Sequence, residues 1–293
     1  MSSLEGSMMR LATIRLNNEE QAVIIRNSEV VLLGHLNERF NKQYPLSLLS
    51  LIEANSLQSL KQDCARLQQD DWDAIEKFPL AEVQFVAPYR NPTHIFGVGM
   101  NYVEKAKDLQ VIPVDQAPVC FLKPATSLIG MNENIVLPSV SKRVTAEGEF
   151  SLIIGKPCFE VSEEEALDYV IGYTASLDLT ASDIHAQNPR FIQMSKLCKG
   201  FFSFGPEINM LGHASELDSL FVETVQNGKV VYRNSVQNMI YRPAFIVSYI
   251  SKFIELQPGD IIMTGTPGSF SVTKGDVAAC RITGLHALQN EVI

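Results

Sequence analysis

Over residues 9 to 35 short apolar-rich runs alternate with polar turns: Leu11-Ala-Thr-Ile-Arg-Leu16, Ala22-Val-Ile-Ile25 and Val30-Val-Leu-Leu33. Such runs predict short strands, and Asn17-Asn18 and Asn27-Ser28 between them supply turn chemistry. The pattern then changes. Leu48, Leu49, Leu51, Ile52, Leu57, Leu60, Cys64 and Leu67 recur at helical spacing, with Asn55-Ser56 marking a break between two helices. Pro79, Pro88 and Pro92 punctuate the next stretch of chain and place a boundary near residue 87.

From His94 onward the pattern is strand-rich. Predicted strands are Ile95–Val98, Val119–Leu122, Ser151–Ile154, Val170–Thr174, Phe221–Val225, Ile261–Met263 and Val277–Ile282. One helix is expected over Ser162–Tyr169, where Ser162 and Glu165 match a capping box. That match accounts for Glu163, Glu164 and Glu165 as first-turn residues facing the positive helix end, rather than as ligands. The expected fold is α+β and β-rich, with a small N-terminal α+β domain over 1–87 and a larger strand-rich domain over 88–293. Residues 1–8 read as an expression remnant ahead of Met8 or Met9.

Glu147-Gly148-Glu149 opens the apolar run Phe150-Ser-Leu-Ile-Ile154. On a strand the two carboxylates share a face. Like charges this close need a cation or a proton between them. Carboxylate oxygens suit a hard divalent ion such as Mg²⁺ or Mn²⁺. A solvated strand end is the other reading, and the local pattern leaves both open. Asp178 stands where an apolar strand gives way to polar sequence, either as a third oxygen ligand or as a cap or turn residue. Pro258-Gly-Asp260-Ile-Ile-Met-Thr-Gly-Thr266-Pro delivers a short strand into a loop. Its backbone donors and hydroxyls suit an anionic oxygen, unless it is a plain hairpin connection.

The bulk numbers narrow the function class. With 24 basic against 33 acidic side chains in 293 residues, the net charge is −9. No basic face suits a phosphate backbone, so nucleic acid is not expected as a partner. No apolar run approaches the roughly 20 residues that span a bilayer, so no membrane partner is expected either. Cys64, Cys120, Cys158, Cys198 and Cys280 are scattered and form no CxxC, which fits reduced thiols in a cytoplasmic protein.

Several segments together resemble the fumarylacetoacetate hydrolase family over about residues 88 to 283. They are Val98-Gly-Met-Asn-Tyr102, Phe121-Leu-Lys-Pro124, Glu147-Gly-Glu149, Gly172-Tyr-Thr174 through Asp178, Lys199-Gly-Phe-Phe-Ser-Phe204, Asn227-Gly228, Asn238-Met-Ile240 and Pro258 to Pro267. The resemblance implies a mixed β-sandwich or roll, a homodimer, and Mg²⁺- or Mn²⁺-dependent chemistry on 2-oxo acids. Acylpyruvate hydrolysis and oxaloacetate-type decarboxylation are the reactions it implies. It makes Glu147, Glu149 and Asp178 the metal ligands and Lys199 a substrate-facing lysine. It also puts Tyr102, Lys123, His185 and Thr266 beside the substrate.

The chain departs from the family pattern at positions that carry chemistry. The family's Asn-Tyr-x-x-His base is Lys105 here, with Asp108 at the position of the orienting acid. A lysine, with an ordinary pKa of roughly 10.4, serves as a base only if its surroundings lower it. Otherwise it is a cation beside a developing enolate, or a residue on a solvated helix face. The expected carboxylate-clamping arginine is Ser182, and Phe202 replaces an aspartate. His185 stands where relatives carry glutamine and borders the expected site; His35, His94, His213 and His286 have no such claim. Two expectations result. One is a metal-dependent enzyme that cleaves a carbon–carbon bond in a 2-oxo acid. The other is an impaired relative that binds metal and a small oxo acid without efficient turnover.

Overall fold

The computed structural model describes residues 9–102 and 117–293. The N-terminal alternation forms three antiparallel strands: β1 (Arg10–Leu16), β2 (Glu19–Arg26) and β3 (Glu29–Leu32). Asn17, Asn18 and Asn27 take positive φ in the connecting turns, as asparagine does more readily than most residues. The helical period resolves into Leu48–Glu53 and Leu57–Arg66, with Asn55 at φ 50° between them.

β1 does more than close a local meander. It pairs with β11 (Phe202–Met210), Arg10 opposite Asn209 and Ala12 opposite Glu207. The N-terminal strands therefore belong to the same sheet as the later part of the chain. Among the described residues that sheet has thirteen strands. Its centre runs β1, β11, β10 (Val170–Ala181), β9 (Val144–Ile154), β14 (Ile261–Met263), β6 (Ile95–Gly99) and β7 (Val119–Lys123). Three two-residue strands, β4 (Phe78–Pro79), β5 (Gln84–Phe85) and β8 (Leu128–Ile129), pair with β3, β1 and β11 respectively. A second sheet of four strands lies against the first. Its order is β13 (Lys229–Ser235), β12 (Phe221–Gln226), β16 (Val277–Ile282) and β17 (Leu288–Glu291).

β9 and β10 are buried on both faces. Phe150, Leu152, Leu177 and Leu179 pack with Val222, Cys280 and Ile282 of the smaller sheet. Gly148 lies on that face, and a Cβ there would stand 3.0 Å from the Glu223 carbonyl oxygen and from Thr224 Oγ1. Only glycine lets the smaller sheet approach so closely. Ile153, Phe202 and Phe204 on the opposite face join the core that includes Leu51, Leu57 and Leu60 of the N-terminal helices.

Two local expectations change. Ser162 and Glu165 do hydrogen-bond each other, but residues 163–165 form a turn and a 3₁₀ helix covers only Ala166–Tyr169. The Tyr169 carbonyl accepts from the Gly155 amide at 2.7 Å, so the sheet claims the backbone before an α-helix develops. Glu147, Glu149 and Asp178 lie inside strands of eleven and twelve residues rather than at strand ends. β9 starts at Val144 because Val144–Glu147 pairs with β15 (Ser269–Val272) as well as with β10.

Candidate metal centre

The register of β9 on β10 builds the site. Glu147 stands directly opposite Asp178, and Glu149 opposite Ser176. The pleat then projects all three carboxylates from one face. One oxygen from each lies within 4.8 Å of the others, and all three residues are buried. A cross-strand pair of like charges is destabilising by itself, and burial removes the water that would screen it. Burial, then the charges of Asp178 and Glu147, drives the Glu149 carboxyl well above its ordinary pKa. A hydrogen bond from the Gly265 amide to Glu149 Oε2, at 2.7 Å, acts in the opposite sense.

Among the described residues, two buried ammonium groups meet the carboxylates. Lys196 donates to Glu147 Oε2 at 3.2 Å, to Thr180 Oγ1 at 2.7 Å and to Asp178 Oδ2. Its Nζ lies 4.5 Å from the Phe121 ring centroid, within cation–π range. Burial by itself would lower the Lys196 pKa, but Asp178 and Glu147 more than offset this and raise it. Lys123 Nζ lies 2.7 Å from Asp178 Oδ1, off hydrogen-bonding geometry. Its donors go instead to the carbonyls of Leu179, Lys196 and Phe201 at 3.0, 3.2 and 2.8 Å. Burial is the main reason its pKa falls to about 8.

The loop behind Glu149 is pinned by Asn101, which is fully buried. Asn101 Nδ2 donates to the Thr264 carbonyl at 2.7 Å and to the Tyr241 carbonyl at 2.9 Å, and Oδ1 accepts from the Tyr241 amide at 2.6 Å. Gly265 takes φ +103° there, and a Cβ would lie 2.7 Å from Asn101 Cβ. The close approach and the unusual φ together aim the Gly265 amide at Glu149. That donor serves the protein's own carboxylate, not an external anion.

The structure brings Glu147, Glu149 and Asp178 together, with Lys123 behind Asp178. Lys105 and Asp108 lie outside the described residues. Tyr102 is buried and its hydroxyl has no hydrogen-bond partner among the described residues; burial first, then Glu149, raises its pKa. His185, on the helix Ser182–Gln187, is half-buried. Its pKa is lowered by burial and then by Lys196, while Glu147 pulls the other way, so the imidazole borders the site. Thr266 is buried, but its hydroxyl donates to the Gly268 carbonyl at 2.9 Å and accepts from the Gly268 amide at 3.2 Å.

Two expectations need correction. Lys199, expected to face substrate, is exposed, and the ammonium on the carboxylates belongs to Lys196. The helix Ile192–Ser195 ends at Lys196 and turns that side chain inward, and Gly200 at φ +77° then directs Phe201 into the core. Lys123, expected beside substrate, has its donors committed to backbone carbonyls and is sealed from solvent. Lys196 and Asn101 are the site residues that motif reading did not assign. Asn101 was visible as the first residue of the Asn-Tyr pair, whereas nothing local separates Lys196 from Lys199.

The donor set fits a hard divalent ion: three carboxylates on one face, with oxygens close enough to share a cation. Residues 94–293 match the model of the fumarylacetoacetate (FAA) hydrolase C-terminal family. A protein of Archaeoglobus fulgidus, described as uncharacterized, is 36% identical over 216 residues, 73% of this chain and 84% of that one. The mitochondrial oxaloacetate tautomerase fahd2 of Xenopus laevis is 32% identical over 222 residues, 73% of this chain and 69% of that one. Maleylpyruvate hydrolase from Sphingobium sp. SYK-6, solved with manganese(II) and pyruvate, superposes with a TM-score of 0.78 at 26% identity, covering 97% of this chain and 99% of that one. The chain belongs to the fumarylacetoacetate hydrolase family.

Proposed function

We propose that this chain is a divalent-metal-dependent enzyme that breaks a carbon–carbon bond in a small 2-oxo acid, by acylpyruvate hydrolysis or oxaloacetate-type decarboxylation. The observation that carries the reading is the buried triad Glu147, Glu149 and Asp178, with oxygens within 4.8 Å of one another. The family match supports it, as do the activities named for the tautomerase and the maleylpyruvate hydrolase. A bound Mg²⁺ or Mn²⁺ supplies Lewis-acid stabilisation of the negative charge that develops as a 2-oxo acid forms its enolate.

The chain's own residues set the conditions. The Gly265 amide and the Asn101 clamp fix Glu149, and two lysines fix Asp178. Phe202, opposite Asp178 on β11, and Phe121 beneath Lys196 make the adjoining wall apolar, which strengthens electrostatic interactions there. His185 has a lowered pKa and is neutral at pH 7, so it can accept a proton at the border of the site. Arg143 Nε donates to Ser182 Oγ at 3.0 Å, which returns a guanidinium to the neighbourhood where the family motif carries arginine. The same reading takes the protein as a homodimer.

The test is incubation with Mn²⁺ or Mg²⁺ and either oxaloacetate or acetylpyruvate, following enol absorbance and pyruvate release. Metal-dependent turnover that falls at least about a hundredfold in Glu149→Gln is expected. Equal rates in parent and variant would count against the reading. One observation favours a second reading, binding without efficient turnover: Lys196 already spans Glu147 and Asp178. Metal-dependent binding of oxalate without turnover of either substrate would select it.

A further inference from the structure

The carboxylate triad carries its own cation. Lys196 Nζ has three acceptors, Glu147 Oε2, Asp178 Oδ2 and Thr180 Oγ1, so its protons are all engaged. Both oxygens of Asp178 face ammonium groups, Oδ1 that of Lys123 and Oδ2 that of Lys196. An ion entering among the carboxylates would share Asp178 with the two ammonium groups already on it.

The two lysines are not equally free to move. Lys123 is bound to three backbone carbonyls and its side chain is fully buried. Among the described residues the Lys196 ammonium meets side chains and the Phe121 face, and its backbone ends a four-residue helix. Charge balance points the same way. Counting the described residues, with the three acids ionised, a divalent ion together with both lysines leaves one excess positive charge in a buried site. With Lys196 withdrawn, the charges cancel. An uncompensated buried charge is strongly unfavourable.

We propose that Lys196 is a built-in counter-ion that holds the metal-free triad together and is expelled when a divalent cation binds. Lys196 thus lowers the protein's affinity for the ion while stabilising its metal-free form. The inference rests on the metal reading above. It concerns what this chain's lysine does at the triad, whichever reaction the site performs.

Mn²⁺ binding to the full chain, measured by titration calorimetry for the parent, Lys196→Met and the exposed-lysine control Lys252→Met, tests it. Lys196→Met is expected to bind Mn²⁺ at least about tenfold more tightly than the parent and to melt at a lower temperature without metal. Lys252→Met should match the parent in both. Equal or weaker binding by Lys196→Met overturns the proposal while leaving the metal site standing. Binding by Lys196→Met alone supports it and removes the metal reading for the parent. Binding by neither overturns both. Should Lys196→Met not fold, amine acetylation of the parent read by peptide mass spectrometry decides. Lys196 is expected to be protected without metal and acetylated at saturating Mg²⁺; protection in both states would overturn the proposal.

Discussion

Asn101 shows how much one buried amide can fix. Its side chain ties the Thr264 carbonyl to the Tyr241 backbone, and the amide of the next loop residue, Gly265, reaches Glu149. Alanine at 101 leaves buried carbonyl and amide groups without partners, each costing about 1–3 kcal/mol. Asn101→Ala should therefore lower unfolding free energy by about 3 kcal/mol in urea titrations, with weaker metal affinity wherever the fold survives. Unchanged stability would mean that the loop holds its shape by other contacts. Gly148 makes the complementary case. It separates the two glutamates in sequence, yet its own role is to admit Glu223 and Thr224 on the far face. Gly148→Ala should cost about 1–3 kcal/mol, because the neighbours it meets include backbone atoms that cannot rotate away.

Among elements, the pairing of β9 with β10 matters most, since its register alone decides that Glu147, Glu149 and Asp178 converge. A slip of one residue would send one strand's carboxylates to the opposite face. The start of β9 is tied to the end of β10 by Asp183, which accepts from Ser141 Oγ at 2.6 Å and from the Lys142 amide at 2.8 Å. Those two bonds, Ser141 first, hold the Asp183 carboxyl below its ordinary 3.8. A carboxyl lowered on folding adds stability at pH values above that ordinary value, and the contribution is lost as pH falls through the lower folded one. Melting temperatures of parent and Asp183→Asn should differ most near neutral pH and converge toward pH 3. A gap that stays constant across that range would remove the charge from the explanation.

Across the chain as a whole, much of the architecture was legible and the electrostatics of its centre were not. Short apolar runs bounded by turn residues located β1 to β3, β6, β7, β12, β14 and β16, because each buries one face or both. β11 escaped, since Gly205-Pro206 interrupts a run that is nonetheless buried along its whole length. The triad could be read from spacing and collinear motifs, but its depth could not. Strand lengths depend on partners such as β15 that sequence order does not reveal. Lys196 was out of reach for the same reason, because the fold alone decides which of two nearby lysines turns inward. Lys105 and Asp108 lie outside the described residues.

Every functional conclusion depends on Glu147, Glu149 and Asp178 sharing one divalent cation. Anomalous scattering from crystals grown with Mn²⁺ addresses this directly. The prediction is a manganese peak within about 2.0–2.4 Å of an oxygen from each of the three carboxylates. A map without a peak at that position, with Lys196 still spanning Glu147 and Asp178 at saturating Mn²⁺, would contradict it.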